Sequence, residues 1–219
     1  MPYHVVQRGH NRSNCFYDDT DKACYLSILA THLTAYQVQL HAFVLMSNHV
    51  HLLLTGRQNG AISTVMQNLG RGYVHYFNKR YHRVGTLWDG RFKDSLVDCD
   101  QYFLSCQRYI ELNPVRAMMV PHPADYHWSS YHANARGVNI NIISPHQVYL
   151  NLAETTEQRL ENYQALFEQR LPDHELKKIR DAIKHNYPLA NESFVQHITN
   201  KYNISFGRKT KGRPEKGSE

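Results

Sequence analysis

The chain has 219 residues, with 25 Lys and Arg against 19 Asp and Glu, a net charge of +6 and a pI near 9.1. That length bounds it to one or two domains, and 42% hydrophobic with 20% charged residues is a globular composition. The longest unbroken apolar run, Ala42 to Met46, is five residues, which excludes a spanning helix of about 20. The opening MPYHVVQRGH has no apolar stretch of the signal-peptide kind, so a cytoplasmic protein is expected.

Cys15, Cys24, Cys99 and Cys106 form no C-x-x-C pair. They read as ordinary, mostly buried thiols rather than disulfides or a zinc knuckle. The positive charge is clustered. From Arg71 to Lys93 there are six Lys or Arg against Asp89 alone, a net +5, and residues 208–219 hold five against two Glu, a net +3. Such clusters suit a polyanion, although a solvated face with a floppy tail has the same composition.

In chain order, residues 3–8 read as a strand and Gly9 to Tyr17 as a loop, with Arg8 beside it and Arg12 within it. A helix is predicted over 21–36, capped by Thr20 or Asp21, with Leu26, Leu29 and Leu33 at helical spacing. Val38, Leu40, Ala42, Val44 and Met46 then alternate as a strand, and a second strand follows the Ser47–Asn48 turn to Thr55, which makes a hairpin. Residues 59–82 read as a helix with Ile62, Val65, Met66, Leu69, Tyr73 and Phe77 along one stripe. A strand over 92–98 precedes a helix from Asp98 or Asp100 to Asn113, which Pro114 is expected to stop. The order β-α-β-β-α-β-α is that of an α+β fold with helices over a mostly antiparallel sheet. Beyond Pro121 an irregular stretch with Trp128, Tyr131 and His132 leads into short helices over 144–151, 156–170, 173–186 and 191–202. The division expected is 1–120, 121–206 and a basic tail, 207–219.

His49 and His51 lie two apart on a predicted strand, so their imidazoles share one face, while Val50, Leu52 and Leu54 share the other. An H-x-H on a strand can hold a metal, but fifteen histidines also give such a pair by chance. Tyr109 and Asn113 are four apart on the helix, with Tyr102 and Cys106 on an adjoining part of that face. A phenol can be a nucleophile and an amide oxygen a ligand. Equally, Tyr109 can be a core residue and Asn113 a helix end.

RGHNR (8–12), MSNHVHLLL (46–54), LWDGRFKDSLVD (87–98), RYIELNPVRA (108–117), PADYHWSSY (123–131) and GRPEK (212–216) resemble the corresponding segments of the single-tyrosine HUH transposases, in particular the REP-associated tyrosine transposases of bacteria. The resemblance implies a ferredoxin-like HUH core, a C-terminal helical extension and a basic tail. It implies a metal-dependent DNA endonuclease and strand transferase that nicks and rejoins single-stranded or palindromic hairpin DNA. Tyr109 would be the nucleophile, forming a 5′-phosphotyrosine and freeing a 3′-hydroxyl, and His49, His51 and Asn113 would hold Mg²⁺ or Mn²⁺. No nucleotide cofactor is needed, because the phosphotyrosine conserves the bond energy.

Arg8, Asn11 and Arg12 are the types that read bases. Arg71, Lys79, Arg80, Arg91 and Lys93 are candidates for phosphate contacts, and Arg116 for the scissile phosphate. Trp88 and Trp128 could stack on bases or be buried. Arg208, Lys209, Lys211 and Arg213 would lie along a groove of the hairpin, so truncation at Phe206 is expected to weaken hairpin binding and flatten its salt dependence; unchanged binding in a salt titration would sink that expectation. The protein is expected to be a monomer or homodimer, the extension favouring the monomer. Two other functions fit the same residues: a palindrome-binding protein without chemistry, and a metal-dependent phosphodiester hydrolase, although Leu53 stands where an H-x-H-x-D or H-x-H-x-H site would carry its third ligand.

Overall fold

The computed structural model describes residues 1–204 and 206, and only the backbone of Cys99 and Asp100. Four strands, β1 (Pro2–Arg8), β2 (Val38–Leu45), β3 (His49–Gly56) and β4 (Lys93–Leu96), form one antiparallel sheet in the order β2-β3-β1-β4. With α1 (Asp19–Ala35) between β1 and β2 and α2 (Ala61–Arg80) between β3 and β4, this is the ferredoxin-like βαββαβ arrangement. α1 is capped by Asp18, whose carboxylate accepts from the Asp21 amide, ahead of the expected caps Thr20 and Asp21. α1 and α2 cover one face, where Val5, Leu52 and Leu54 meet Tyr25, Leu29, Leu69, Tyr73 and Phe77. Burial of that apolar area is the main source of stability.

The first strand of the hairpin departs from simple alternation. Val38 and Leu40 belong to the α1/α2 core, but Ala42, Val44 and Met46 belong to the core on the opposite face. The register shifts between Leu40 and Ala42. A bulged residue breaks the two-residue period, and here it is His41, buried and held by Ser144 O (2.6 Å) and Thr55 Oγ1 (2.8 Å).

The other face takes α3 (Cys99–Glu111) and the helices after it: α4 (Asn113–Arg116), α5 (Tyr131–Arg136), α6 (Gln147–Leu150), α7 (Thr156–Glu168), α8 (Asp173–His185) and α9 (Glu192–Tyr202). Two expectations are corrected here. Pro114 does not end the helical path: the chain turns at Leu112 and α4 begins at once, with Pro114 in its first turn, where an N–H is not required. Pro114 cannot donate to the Ile110 carbonyl, and Asn113 Nδ2 does so instead (3.3 Å), along with Tyr109 O (2.9 Å). The stretch after Trp128 is not wholly irregular either, since Tyr131–Arg136 is helical and ends at Gly137 in the left-handed region (φ 68°).

Residues of the later segment also cover both sheet edges. Leu40 bridges to Ile143 and Val44 to Ser129 along β2, while Val97 bridges to Leu189 beyond β4. Bridges of this kind cover part of each edge and leave less of it free for further strand pairing. Among the described residues no helix is long and apolar enough to cross a membrane.

Candidate active site

A cleft of about 790 Å³ opens between β1, β3 and the helices on the second face. His49 and His51 line it from β3, Tyr109 from α3 and Asn113 from α4. The register pairs Arg8 with His49 and Val6 with His51, which sets the basic loop beside the imidazoles. That loop is tightly fixed. Gly9 donates to Asn48 O (2.9 Å), His10 to Leu87 O (2.9 Å), and Asn48 Nδ2 to Arg12 O (3.1 Å). Only glycine fits at position 9, where a Cβ would lie 2.2 Å from the Ser13 carbonyl oxygen. Asn11 and Arg12 both have left-handed φ (50° and 60°), a local strain that a fixed loop can hold.

The two imidazoles face each other edge to face, with ring centroids 5.1 Å apart. His49 Nδ1 bonds to Asn48 Oδ1 (2.6 Å), so it carries the proton and Nε2 keeps its lone pair. His51 Nδ1 is joined to His4 Nε2 of β1 (2.8 Å). Burial drives the His49 pKa down to about 4 and that of His4 to about 3, and holds His51 well below the usual imidazole value. All three rings are therefore neutral near pH 7. Tyr109 is buried, with its ring edge-on to His4 and to His51 at 5.8 Å from each. The Arg116 guanidinium lies 4.3 Å from the Tyr109 ring centroid, and its Nη1 is buried without a partner.

This donor set fits a divalent cation. His49 and His51 each have Nδ1 engaged, which suits Nε2 coordination, and Asn113 has Nδ2 committed to α3 carbonyls, which leaves Oδ1 as its donor. The third candidate donor is an amide: among the described residues no three His, Cys, Asp or Glu side chains converge as a metal group.

Arg8, Asn11, Arg12, Arg91, Lys93 and Arg116 all line the cleft. Arg71 does not: it is exposed on α2, bonded to Asn68 Oδ1, and borders a separate slot. Lys79 is exposed on α2 away from the cleft. Arg80 is turned inward, paired with Asp18 (2.6 Å) and with fully buried Asp21 (2.8 Å), so its charge is spent on joining α2 to α1. Trp88 is buried against Tyr25 and Tyr73, and Trp128 donates to Asp19 Oδ1 (2.6 Å). Arg208, Lys209, Lys211 and Arg213 lie outside the described residues. Cys15 and Cys106 are buried thiols and Cys24 is half-buried.

Three contributors to the cleft were not anticipated. Arg180 and Lys184 reach it from α8, and Asp89 lines it as an acidic residue among seven Arg and Lys. The four-residue spacing of Arg180 and Lys184 places them on one side of a helix, which was a usable signal. His4 had none, because only the strand register puts it behind His51.

A ferredoxin-like sheet with a tyrosine-bearing helix on its second face is the fold of the Y1 transposases. The profile of the family described as "Transposase IS200 like" matches residues 1–113, just over half the chain, and the protein belongs to that family. Among solved structures, a REP-associated tyrosine transposase bound to a REP hairpin is similar at TM-score 0.54 and 18% identity, covering 66% of this chain and 85% of that one; this likeness is one of fold. A Deinococcus radiodurans protein described as a transposase shares 22% identity at TM-score 0.39, covering 51% of this chain and 88% of its own. No protein of curated function matches the chain in sequence.

Proposed function

We propose that this transposase cuts and rejoins single-stranded or hairpin DNA through a covalent bond between Tyr109 and a 5′-phosphate. The observation that carries the reading is the convergence of Tyr109, His49, His51 and Asn113 on one basic cleft. Tyr109 Oη attacks the scissile phosphorus. The bond to the 3′-oxygen breaks, the phenol gives up its proton, the leaving oxygen takes one up to become a 3′-hydroxyl, and the tyrosyl phosphate retains the bond energy. Attack by a 3′-hydroxyl on the phosphotyrosine reverses the step and releases Tyr109.

His49, His51 and Asn113 would hold Mg²⁺ or Mn²⁺, which when bound polarises the phosphate and offsets the charge that develops on it. Their neutral imidazoles and amide oxygen bring no negative charge of their own, so the site stays attractive to a phosphate. Arg8, Arg12, Arg91, Lys93, Arg180 and Lys184 surround it with positive charge that draws and orients the strand. Asn11 and the two arginines of its loop are the groups placed to read bases.

The test is a denaturing gel of the protein with labelled hairpin oligonucleotides from palindromes near its own gene. A protein–DNA adduct is expected with Mg²⁺ or Mn²⁺ and none after chelation. Activity restored by Zn²⁺ alone would overturn the metal assignment, and cleavage with no adduct under any metal would favour the hydrolase.

Arg116 is assigned to the scissile phosphate, because its guanidinium lies over the ring of Tyr109 and its Nη1 has no partner. Arg116→Ala is expected to slow single-turnover cleavage by about 10²- to 10³-fold, the usual loss for one oriented donor at a developing oxyanion. Hairpin affinity should change far less. A variant that loses affinity but cleaves bound DNA at the normal rate would refute the role.

A further inference from the structure

On the α1/α2 side of the sheet, away from the cleft, lies a slot of about 510 Å³ bordered by Gln7, Met66, Gly70, Val74, Trp88 and Phe92 among others. That volume falls within the roughly 300–1,000 Å³ of small-ligand pockets. Its exposed wall is mostly apolar although polar side chains border it, and two of the bordering residues each hold a buried polar atom with nothing to bond to. Trp88 Nε1, a donor, and Gln7 Oε1, an acceptor, are both buried without partners, and their residues are each only 6% exposed. Buried polar groups are nearly always satisfied, so two orphans of opposite kind bordering one slot point to a ligand that supplies both complements. Gly70, in α2, keeps the space between helix and sheet open: a Cβ there would stand 3.9 Å from both Trp88 Nε1 and Gln7 Nε2.

We infer that this slot takes one unpaired nucleobase of the DNA strand. The inference rests on the DNA-cutting function proposed above and adds a subsite to it. A base is flat, apolar on its faces, and carries adjacent donors and acceptors along its edge. Trp88 Nε1 donates to a ring nitrogen or carbonyl oxygen of the base, and Gln7 Oε1 accepts from the neighbouring N–H. Val74, Met66 and Phe92 flank the ring faces. The rim holds Arg71 and Arg91, two cations for the phosphates on either side of the base. Arg91 also lines the catalytic cleft, so a strand leaving the cleft can pass Arg91 and place a base in the slot. Gln7 and Arg8 are successive residues of β1 that serve the two sites on opposite faces of the sheet.

The experiment uses the full chain and the fluorescein-labelled hairpin oligonucleotide of the adduct assay, with an abasic residue placed in turn at each unpaired position. Binding is read by anisotropy, and adduct formation is read in the same samples. One position is expected to be sensitive, its abasic form binding roughly 5- to 150-fold more weakly, the range for loss of one base held by stacking. In Gln7→Leu, Trp88→Phe and Gly70→Leu the intact oligonucleotide should bind more weakly by a similar factor, and the abasic substitution should then change little. Gln7→Leu removes an unpartnered buried atom at nearly constant volume, so a thermal midpoint close to the parent is expected of it. Trp88→Phe also leaves a cavity against Tyr25 and Tyr73, so its midpoint is expected to fall and its affinity is read below that midpoint.

If no position is sensitive, or the sensitivity persists undiminished in all three variants, the subsite is overturned. Absence of DNA binding also overturns it. Position-sensitive binding without any adduct would uphold the subsite while refuting the cleavage mechanism. A normal adduct with no sensitive position would do the reverse.

Discussion

Tyr109→Phe is expected to form no covalent adduct and to cleave DNA at least about 10⁴-fold more slowly, the scale of loss when a nucleophile is deleted from a cooperating site. The substitution removes only the hydroxyl. The remaining ring keeps its edge contacts with His4 and His51 and its place under Arg116, so hairpin affinity and thermal stability should stay near those of the parent. That separation makes the variant informative. A single-turnover cleavage assay and an anisotropy titration on the same preparation suffice. Cleavage at the parental rate without an adduct would transfer the reaction to a water nucleophile. A surviving adduct would demand another tyrosine, for which Tyr102 is poorly placed: it is buried, and its hydroxyl accepts from Lys178.

Much of this arrangement was readable from the chain because its causes are local. Strand alternation puts His49 and His51 on one face, but pattern alone left the roles of His49, His51, Tyr109 and Asn113 open. The family resemblance named them, and Asn113 stands on α4 rather than on the helix of Tyr109. What escaped the reading depends on distant partners. Arg80 lies in a basic run and looked like a phosphate contact, but its acids, Asp18 and Asp21, stand about 60 positions earlier. His4 acquires its place behind His51 through a strand pairing across 47 positions. The bulge at His41 is invisible to a pattern of alternating apolar residues, because Ala42, Val44 and Met46 continue the same period while changing faces. Arg180 and Lys184 were seen only as part of a helix, since nothing local says that α8 lies against the cleft. Pro114 was read as a stop because a proline disfavours helix before it, whereas the Asn113 side chain supplies the hydrogen bond that Pro114 lacks.

Glu111, on the same helix as Tyr109, is fully buried and yet polar. Its carboxyl accepts from Ser130 Oγ (2.6 Å), Asn134 Nδ2 (2.8 Å) and Tyr163 Oη (2.8 Å), tying α3 to α5 and α7. Glu111→Ala is expected to cost about 3–5 kcal/mol, because it leaves a cavity and strips the acceptor from three buried donors. For a chain of this size that is a fall in midpoint of roughly 10 °C. Burial pushes the Glu111 pKa up from 4.5 to about 7. The folded protein therefore holds this proton more tightly than the unfolded chain does. The contribution of Glu111 to stability is greatest below about pH 4.5, declines as pH rises to about 7, and is level above that, by as much as about 3 kcal/mol. The buried histidines act in the opposite sense: their folded pKa values are depressed, so they cost stability as pH falls below about 6.5. Glu111→Gln separates the two, because it keeps the histidines and removes the titration. Urea unfolding of parent and Glu111→Gln at pH 5 and pH 8 should show the difference between them shifting toward the glutamine variant at the higher pH. A difference that is constant, or that shifts the other way, would mean that the three donors hold Glu111 ionised in the folded protein.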